Sequence, residues 1–287
     1  VVLMEAGAFL GGEAAPAYPM DKIVVALLLV GFCLKLAIMP FYFWLPGLAE
    51  HAKPMTTALV VSIVDIAAFG ELAHLHLEMP WVFNDYAALW LALALLSMFG
   101  GALLALAQKN IKCMLAYSTI DDMGYLLLGL LVGSQAGLSG AILAAVSHAF
   151  FKVLLFGAVG LAENRSGHVL TLDDRGLATR YPISAAAFIL GALGMIGVPP
   201  LFGFIGRWRL YLAGVEYGGI WLVLAMACAT ALALLYYVRV IHRVWLGQAE
   251  QDAPADEPKL AAAVLLVLLV LMLAAGLFPG WLTALLG

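Results

Sequence analysis

Long apolar runs with almost no charge inside them constrain the fold of this chain more than any other feature. A helix that crosses a bilayer needs about 20 mostly apolar residues. The chain is 65% hydrophobic and only 11% charged, whereas a soluble domain has roughly 25% charged residues. Leu, Ala and Val dominate the runs, without the alternation of a barrel strand. The sequence therefore predicts an all-α integral membrane protein.

The apolar runs divide into about eight predicted spans, which together form a single transmembrane domain over residues 1–287. No basic segment followed by an apolar core precedes them, so no signal peptide is expected. The predicted spans cover residues 22–46, 55–78, 84–107, 113–133, 138–162, 182–210, 218–246 and 259–284.

The charges of the connecting loops predict the orientation. The connections near 79–85, 134–138 and 211–217 contain no Lys or Arg, and the alternate connections contain several. Because basic loops stay in the cytoplasm, we expect the basic set to be cytoplasmic and both chain ends to lie on the other side of a bacterial-type inner membrane. The basic set holds Lys53, Lys109, Lys112, Arg165, Arg175, Arg180, Arg243 and Lys259.

The composition also excludes several functions. The net charge is -4 and no basic cluster occurs, so no nucleic-acid partner is expected. The three cysteines, Cys33, Cys113 and Cys228, lack C-x-x-C spacing, which argues against a disulfide framework or a metal site. No haem motif or nucleotide fingerprint is present, so no cofactor is expected. The chain carries no catalytic redox site of its own.

A few ionisable residues lie inside the predicted spans. Such residues are costly in a bilayer and mostly mark ion paths. Lys35, Asp65 and Lys152 lie near the centres of their spans, whereas Glu71 lies with His74 and His76 towards the outer end of its span and is expected to be a packing or interfacial residue. The full set is Lys35, Asp65, Glu71, His74, His148, Lys152 and Arg207.

His148 and Lys152 are four residues apart in "SHAFFKVLLF", so they share one helix face. Helix-breaking residues accompany two of the other charges. Pro40 follows Lys35 by five residues, and Pro199, Pro200 and Gly203 precede Arg207. Interrupted helices at membrane depth are typical of transporter ion sites. Two such breaks beside basic residues suggest internal symmetry.

Four segments resemble, in order, signatures of the antiporter-like membrane subunits. They are "FCLKLAIMPFYFWLP", "QKNIKCMLAYSTIDDMGYLLLG", "SHAFFKVLLFGAVG" and "GVPPLFGFIGRW". That family includes the large hydrophobic subunits of respiratory complex I, Mrp-type antiporters and energy-converting hydrogenases.

The resemblance implies a fold of fourteen helices with two inverted five-helix repeats, of which this chain matches helices 7–14. Residues 1–78 would be the tail of the first repeat, 84–246 the second repeat, and 259–287 the C-terminal helix. The resemblance also implies that the first-half helices come from elsewhere, because the chain is a truncation or one half of a split subunit.

By the same resemblance, Lys35 matches the lysine of the first half-channel, and His148 and Lys152 match the central relay. Arg207 lies where the family has a lysine or glutamate, and Asp65 where it usually has a lysine, so Asp65 is expected to pair with Lys35. Because arginine keeps its proton, Arg207 is expected to act as a fixed positive gate. Asp121 and Asp122 stand where a histidine is common; their role stays open.

The sequence therefore predicts a subunit that moves protons, or Na⁺, through a buried Lys/His relay. Its neighbours would be other membrane subunits of a redox-driven complex, resembling NADH-quinone oxidoreductase or a hydrogenase, or of an Mrp-type complex. Two alternatives remain: a non-conducting structural subunit, favoured by the charge changes at Asp65 and Arg207, and a small transporter that dimerises.

Overall fold

The computed structural model describes residues 19–248, 257–278 and 280. The first 18 residues, most of the polar connection 248–259, and residues 279 and 281–284 of the last predicted span lie outside this part. Within it, the regular structure is helical, apart from one single-residue bridge between Asn110 and Thr171. The predicted all-α membrane class is confirmed, because six of the described helices are long and apolar enough to cross a bilayer.

The helices are numbered here in chain order. They are α1 Pro19–Lys35, α2 Trp44–His51, α3 Pro54–Glu78, α4 Trp81–Asn84, α5 Ala87–Ala107, α6 Ile111–Val132, α7 Gln135–Ser166, α8 Leu177–Arg180, α9 Pro182–Ile196, α10 Gly203–Trp245 and α11 Lys259–Leu277. Two of them contain a π-helical turn, Val60–Val64 in α3 and Ile241–Trp245 in α10.

Helix α10 is too long for a single crossing. Its 43 residues would extend about 64 Å at 1.5 Å per residue, against a hydrocarbon core of about 30 Å. The chain reverses at Gly219, whose φ of 61° and ψ of -153° are not helical. The Tyr211 hydroxyl meets Thr230 Oγ1 at 2.7 Å across this hairpin. With this reversal, the described chain crosses the membrane about eight times, as the sequence predicts.

Two of the crossings are interrupted. The first crossing leaves helical geometry between α1 and α2, where Ala37 has a φ of 50° and Pro40 lies. The other interrupted crossing is broken between α9 and α10, at Pro199 and Pro200, and the helix resumes at Gly203. The prolines cannot donate a backbone hydrogen bond, which ends regular helix at each place.

Helix α6 lies at the centre of the bundle. All its residues except Tyr117 and Val132 are buried, and it packs against α5, α7 and α10. Asn110 caps its first turn by accepting hydrogen bonds from the backbone N–H groups of Lys112 and Cys113, and Gly133 ends it in a left-handed conformation. A polar residue on α6 is therefore enclosed by protein.

The basic loops meet at one end of the bundle. Lys112 Nζ lies 3.4 Å from Glu163 Oε2, Leu172 N–H donates to Lys109 O, and Arg239 donates to Gln108 O. His76 packs against Phe83 at the opposite end. The basic connections around Lys109, Lys112 and Arg239 thus lie together, and which side of the membrane they face stays a prediction.

Candidate functional site

A row of polar side chains runs along the buried helix α6. Ser118, Asp121, Asp122 and Tyr125 follow one another at spacings of three, one and three residues, and all are buried. Facing helices supply partners for each of them. A buried polar group without a partner is costly, so these contacts stabilise the row.

Asp122 is the centre of this row. Its Oδ1 accepts a hydrogen bond of 2.7 Å from Arg207 Nη2, and its Oδ2 lies 3.0 Å from His148 Nδ1. One carboxylate therefore joins α7 and α10 through α6. Charge-assisted hydrogen bonds of this length are among the stronger polar contacts in proteins.

Arg207 is fixed from three directions. Besides Asp122, its Nη2 donates to Met195 O at 2.9 Å, at the last turn of α9 before the break. Its guanidinium carbon lies 3.8 Å from the centroid of the Tyr125 ring, a cation–π contact. The helix break brings Arg207 to this position, since the interruption ends α9 with its carbonyls turned towards the first turns of α10.

Lys152 is fully buried on α7. Its Nζ donates hydrogen bonds of 2.6 Å to Ser118 Oγ and 2.8 Å to Leu115 O. Tyr237 OH donates a hydrogen bond of 3.2 Å to the same Ser118 Oγ. Among the described residues, no carboxylate lies within ion-pair distance of this ammonium. Lys152 is thus held by neutral oxygen atoms alone.

Asp121, next to Asp122, contacts the second half of α10. Its Oδ2 accepts from Tyr236 OH at 3.2 Å, and its Oδ1 has no hydrogen-bond partner in the described part of the chain. The rings of Tyr236 and Tyr237 lie 4.6 Å apart between centroids in a tilted arrangement. The two tyrosines connect the surroundings of Asp121 with those of Lys152.

A small cavity adjoins Asp122. Counted as the space open to the centres of water molecules, its volume is about 20 Å³, and its lining includes Ser147, His148, Asp122 and Arg207. A polar cavity of this size has room for one water. The geometry therefore allows a water between the two basic side chains and the carboxylate that joins them.

Asp65 is fully buried on α3, immediately after the π-helical turn. Neither of its carboxylate oxygens has a hydrogen-bond partner among the described residues. The π-helical turn before it packs against α7, the helix that carries Lys152. Asp65 therefore faces the site on α7.

The prediction that Lys35 pairs with Asp65 is wrong. Lys35 Nζ instead contacts Glu71 Oε2 at 2.7 Å. Six residues on a helix correspond to about 600° of rotation, so Glu71 and Asp65 point to different sides of α3. The pair is half-exposed, with 41% of the Lys35 side chain and 57% of the Glu71 side chain accessible. Glu71, expected to be a packing or interfacial residue, is thus the partner of Lys35.

The structure brings together four of the sequence-predicted residues, His148, Lys152, Arg207 and, at the edge, Asp65. Lys35 stands apart, on the outer surface of α1. Sequence reasoning assigned no role to Ser118, Asp121 and Asp122 or to Tyr236 and Tyr237. For the three residues on α6, the sequence signal was a polar side chain inside a predicted span. This signal points to a site only when α6 is known to be packed on all sides. Across the described residues, no cluster of His, Cys, Asp or Glu could hold a metal ion.

Comparisons with known proteins agree with this architecture. The profile of the family described as "NADH:quinone oxidoreductase/Mrp antiporter, TM" matches residues 4–233. NADH-quinone oxidoreductase subunit N of Salinibacter ruber is 35% identical over 83% of this chain and 48% of its own length. The chain spans about half the length of the curated relatives it matches.

Two solved structures share the fold. A chain of the Mrp complex from Dietzia sp. DQ12-45-1b aligns with a TM-score of 0.86 at 22% identity, over 98% of this chain and 63% of that one. A chain of the membrane-bound sulfane sulfur reductase, an archaeal respiratory membrane complex, aligns with a TM-score of 0.84 at 27% identity, over 94% of this chain and 55% of that one. With a family profile that matches most of its length, this chain is a member of the NADH:quinone oxidoreductase/Mrp antiporter transmembrane family.

Proposed function

We propose that the chain conducts protons as an antiporter-like subunit of a multi-subunit membrane complex, with Na⁺ as the alternative ion. The single observation that carries this proposal is the environment of Lys152. A buried ammonium held only by neutral oxygen atoms is poorly compensated, so a proton can leave it and return. Relatives named as parts of NADH-quinone oxidoreductase, Mrp and sulfane sulfur reductase complexes support the same class.

The contacts suggest how a proton would approach and leave Lys152. Ser118 and Tyr237 hydrogen-bond in series with its ammonium, and hydroxyl groups both donate and accept. On the other side, the His148 imidazole, a side chain type that serves as a proton shuttle, lies next to the cavity. Asp65, with unpaired oxygens facing α7, is a further acceptor near Lys152.

Arg207 has a different part in the proposal. A guanidinium does not release its proton in proteins, and the ion pair with Asp122 holds it in place. We therefore assign it the role of a fixed positive charge beside His148. This charge would act as a gate for the ion that passes His148.

The experiment compares Lys152→Met and Lys152→Arg in the assembled complex. Methionine keeps the length of the side chain and removes the charge, so assembly is expected to stay near normal while coupled ion movement is lost. Arginine keeps a proton that a relay must release, so it is expected to fail as well. Lys109→Met, at an exposed lysine, is the matched control. Full ion movement in both Lys152 variants would refute the relay.

A non-conducting structural subunit is the second candidate function. The ion pair of Asp122 with Arg207 favours it, because two opposite charges held at 2.7 Å suit a static connection between helices. On this alternative, Lys152→Met would be neutral or stabilising and the complex would work unchanged. The same experiment therefore separates the two functions.

The proposal also includes a partner subunit and the membrane around the chain. An ion pair between Lys35 and Glu71, half-exposed within the membrane span, needs protein or water around it, so we propose that helices of a partner subunit cover α1 and α3. We also propose a bacterial inner membrane, with the basic loops in the cytoplasm. Residues 1–78, 84–246 and 259–287 are then the tail of one repeat, a second repeat and a terminal helix.

A further inference from the structure

An open groove lies at the basic end of the bundle, outside the site described above. It has a volume of about 870 Å³ and is bounded by the start of α3, the last half of α7 and the start of α11. This volume falls within the roughly 300–1,000 Å³ of small-ligand sites. The groove is open towards the membrane, since Met55, Leu260 and Val264 on its rim are more than half exposed.

Two glycines of α7 shape the floor of the groove. A Cβ atom added at Gly160 would come within 3.0 Å of Pro54 Cβ, and one added at Gly157 within 3.1 Å of Leu265 Cδ2. The absence of side chains here lets α3 and α11 approach α7 closely while a cleft remains between them. Val153, Leu161 and Leu268 complete an apolar wall.

The mouth of the groove has the opposite character. Lys53 and His168 line it, and the Lys53 ammonium makes no ion pair with any described residue. Both groups stand where the loops begin, at the level of lipid headgroups. The one acid in the lining, Glu163, is already occupied, because Lys112 contacts one of its oxygens and Leu170 N–H the other.

His168 lies at this mouth with both ring nitrogens engaged. Its Nε2 lies 2.7 Å from Asp174 Oδ1 and its Nδ1 lies 3.3 Å from Ser166 O, so the Asp174 carboxylate balances a charge on the ring and the uncompensated positive charge at the mouth is that of Lys53. The N-terminal ends of α3 and α11 also line the mouth, where helix dipoles favour an anion. The groove thus combines an apolar body at membrane depth with an electropositive opening.

We propose that this groove binds one anionic phospholipid, with its phosphate at Lys53 and an acyl chain along Gly157 and Gly160. A neutral lipid would fit the apolar wall equally well, but it would gain less from the opening. One lysine near the headgroup contributes about 1 kcal/mol to an anionic lipid, which corresponds to about fivefold in affinity.

Native mass spectrometry of the complex containing the intact chain tests the proposal. After delipidation, it is mixed with phosphatidylglycerol or phosphatidylcholine at equal concentration, and bound lipids are counted. We expect one phosphatidylglycerol to bind about fivefold more tightly than phosphatidylcholine. Lys53→Gln should remove this preference, and Lys109→Gln, at an exposed lysine outside the groove, should keep it.

A steric pair of variants tests the apolar part. Ala261→Trp on the groove wall should abolish the bound lipid, and Ala263→Trp, on the outer face of the same helix, should not. Equal binding of the two lipids, an unchanged preference in Lys53→Gln, or a lipid retained in Ala261→Trp would overturn the proposal. So would a partner helix cross-linked from Val264→Cys, which would identify the occupant as protein.

Discussion

Asp122 determines how charge is distributed within the site. Its two oxygens are both engaged, one by Arg207 and the other by His148. A buried carboxylate shared in this way ties the orientation of a ring on α7 to that of a guanidinium on α10. A change in the position of His148 or Arg207 is therefore expected to shift the other side chain, because Asp122 contacts both.

The Asp122–Arg207 pair is expected to be strongly coupled. Asp122→Asn should lower stability by about 3–5 kcal/mol, because it leaves a buried guanidinium without its counter-ion. Replacing both residues, Asp122→Asn with Arg207→Met, should cost less than the sum of the two single changes. The measurement is a double-mutant cycle on the thermal unfolding of the purified complex, in which 1 kcal/mol corresponds to about 2–4 °C.

Asp121→Asn is the matched control for this cycle. The neighbouring acid is also buried, but its contact is with a neutral hydroxyl, Tyr236 OH. We expect a smaller loss from Asp121→Asn than from Asp122→Asn. Single-variant losses at Asp122 and Arg207 that simply add would contradict the coupling.

Some of the site could be predicted at the residue scale, and some could not. The spacing of His148 and Lys152 predicts a shared face, and both do point into the bundle. Their partners, however, are different, Asp122 for one and Ser118 for the other. A spacing of four fixes a direction on one helix, but the residues met there depend on the register of the neighbouring helix, which no local pattern records.

The break between α9 and α10 gives the site its shape at the scale of secondary structure. Helix α9 ends there, with Met195 O accepting a hydrogen bond from Arg207 Nη2, and α10 begins at Gly203. The two helices come together closely there, since a Cβ atom at Gly203 would overlap Gly194 O and approach the Phe151 ring. A residue with a side chain has no room at this position.

Gly203→Ala is therefore expected to displace the first turns of α10. Overpacking of this kind costs typically about 1–3 kcal/mol, and the displacement should also move Arg207 away from Asp122. We expect a lower unfolding temperature together with impaired ion movement. Gly47→Ala, in α2 beside the other break, is the control, because nothing lies within 4 Å of its added Cβ. Equal behaviour of the two variants would show that the close approach is unimportant.

The elements themselves were largely predictable, because a run of about 20 apolar residues has few alternatives in a bilayer. The pairing of Lys35 was not. The π-helical turn Val60–Val64 changes the rotation of α3 before Asp65, and nothing in "VVSIV" marks it. Asp65 thus turns to α7, and the acid that reaches Lys35 is Glu71, about 1.7 turns further along.

The whole molecule has two kinds of outer surface. Most of it is apolar, as a membrane requires, with α11 presenting Leu260, Val267 and Val270. The surface formed by α1 and α3 differs, because it combines the half-exposed pair Lys35–Glu71 with glycines that have open space around them, Gly31 and Gly70. Small residues beside polar ones are typical of contacts between helices in membranes.

This surface should be the attachment site of the partner subunit. Gly70→Trp would fill the space beside Glu71 and is expected to reduce the mass of the purified complex by the mass of the partner, while the chain itself stays folded, because nothing in the chain occupies that space. Val267→Trp, on the exposed face of α11, introduces the same bulk towards lipid and should leave the complex intact. Native mass spectrometry measures both. An unchanged mass in Gly70→Trp would mean that water, rather than a partner helix, surrounds the Lys35–Glu71 pair, and the proposed partner would have to attach elsewhere.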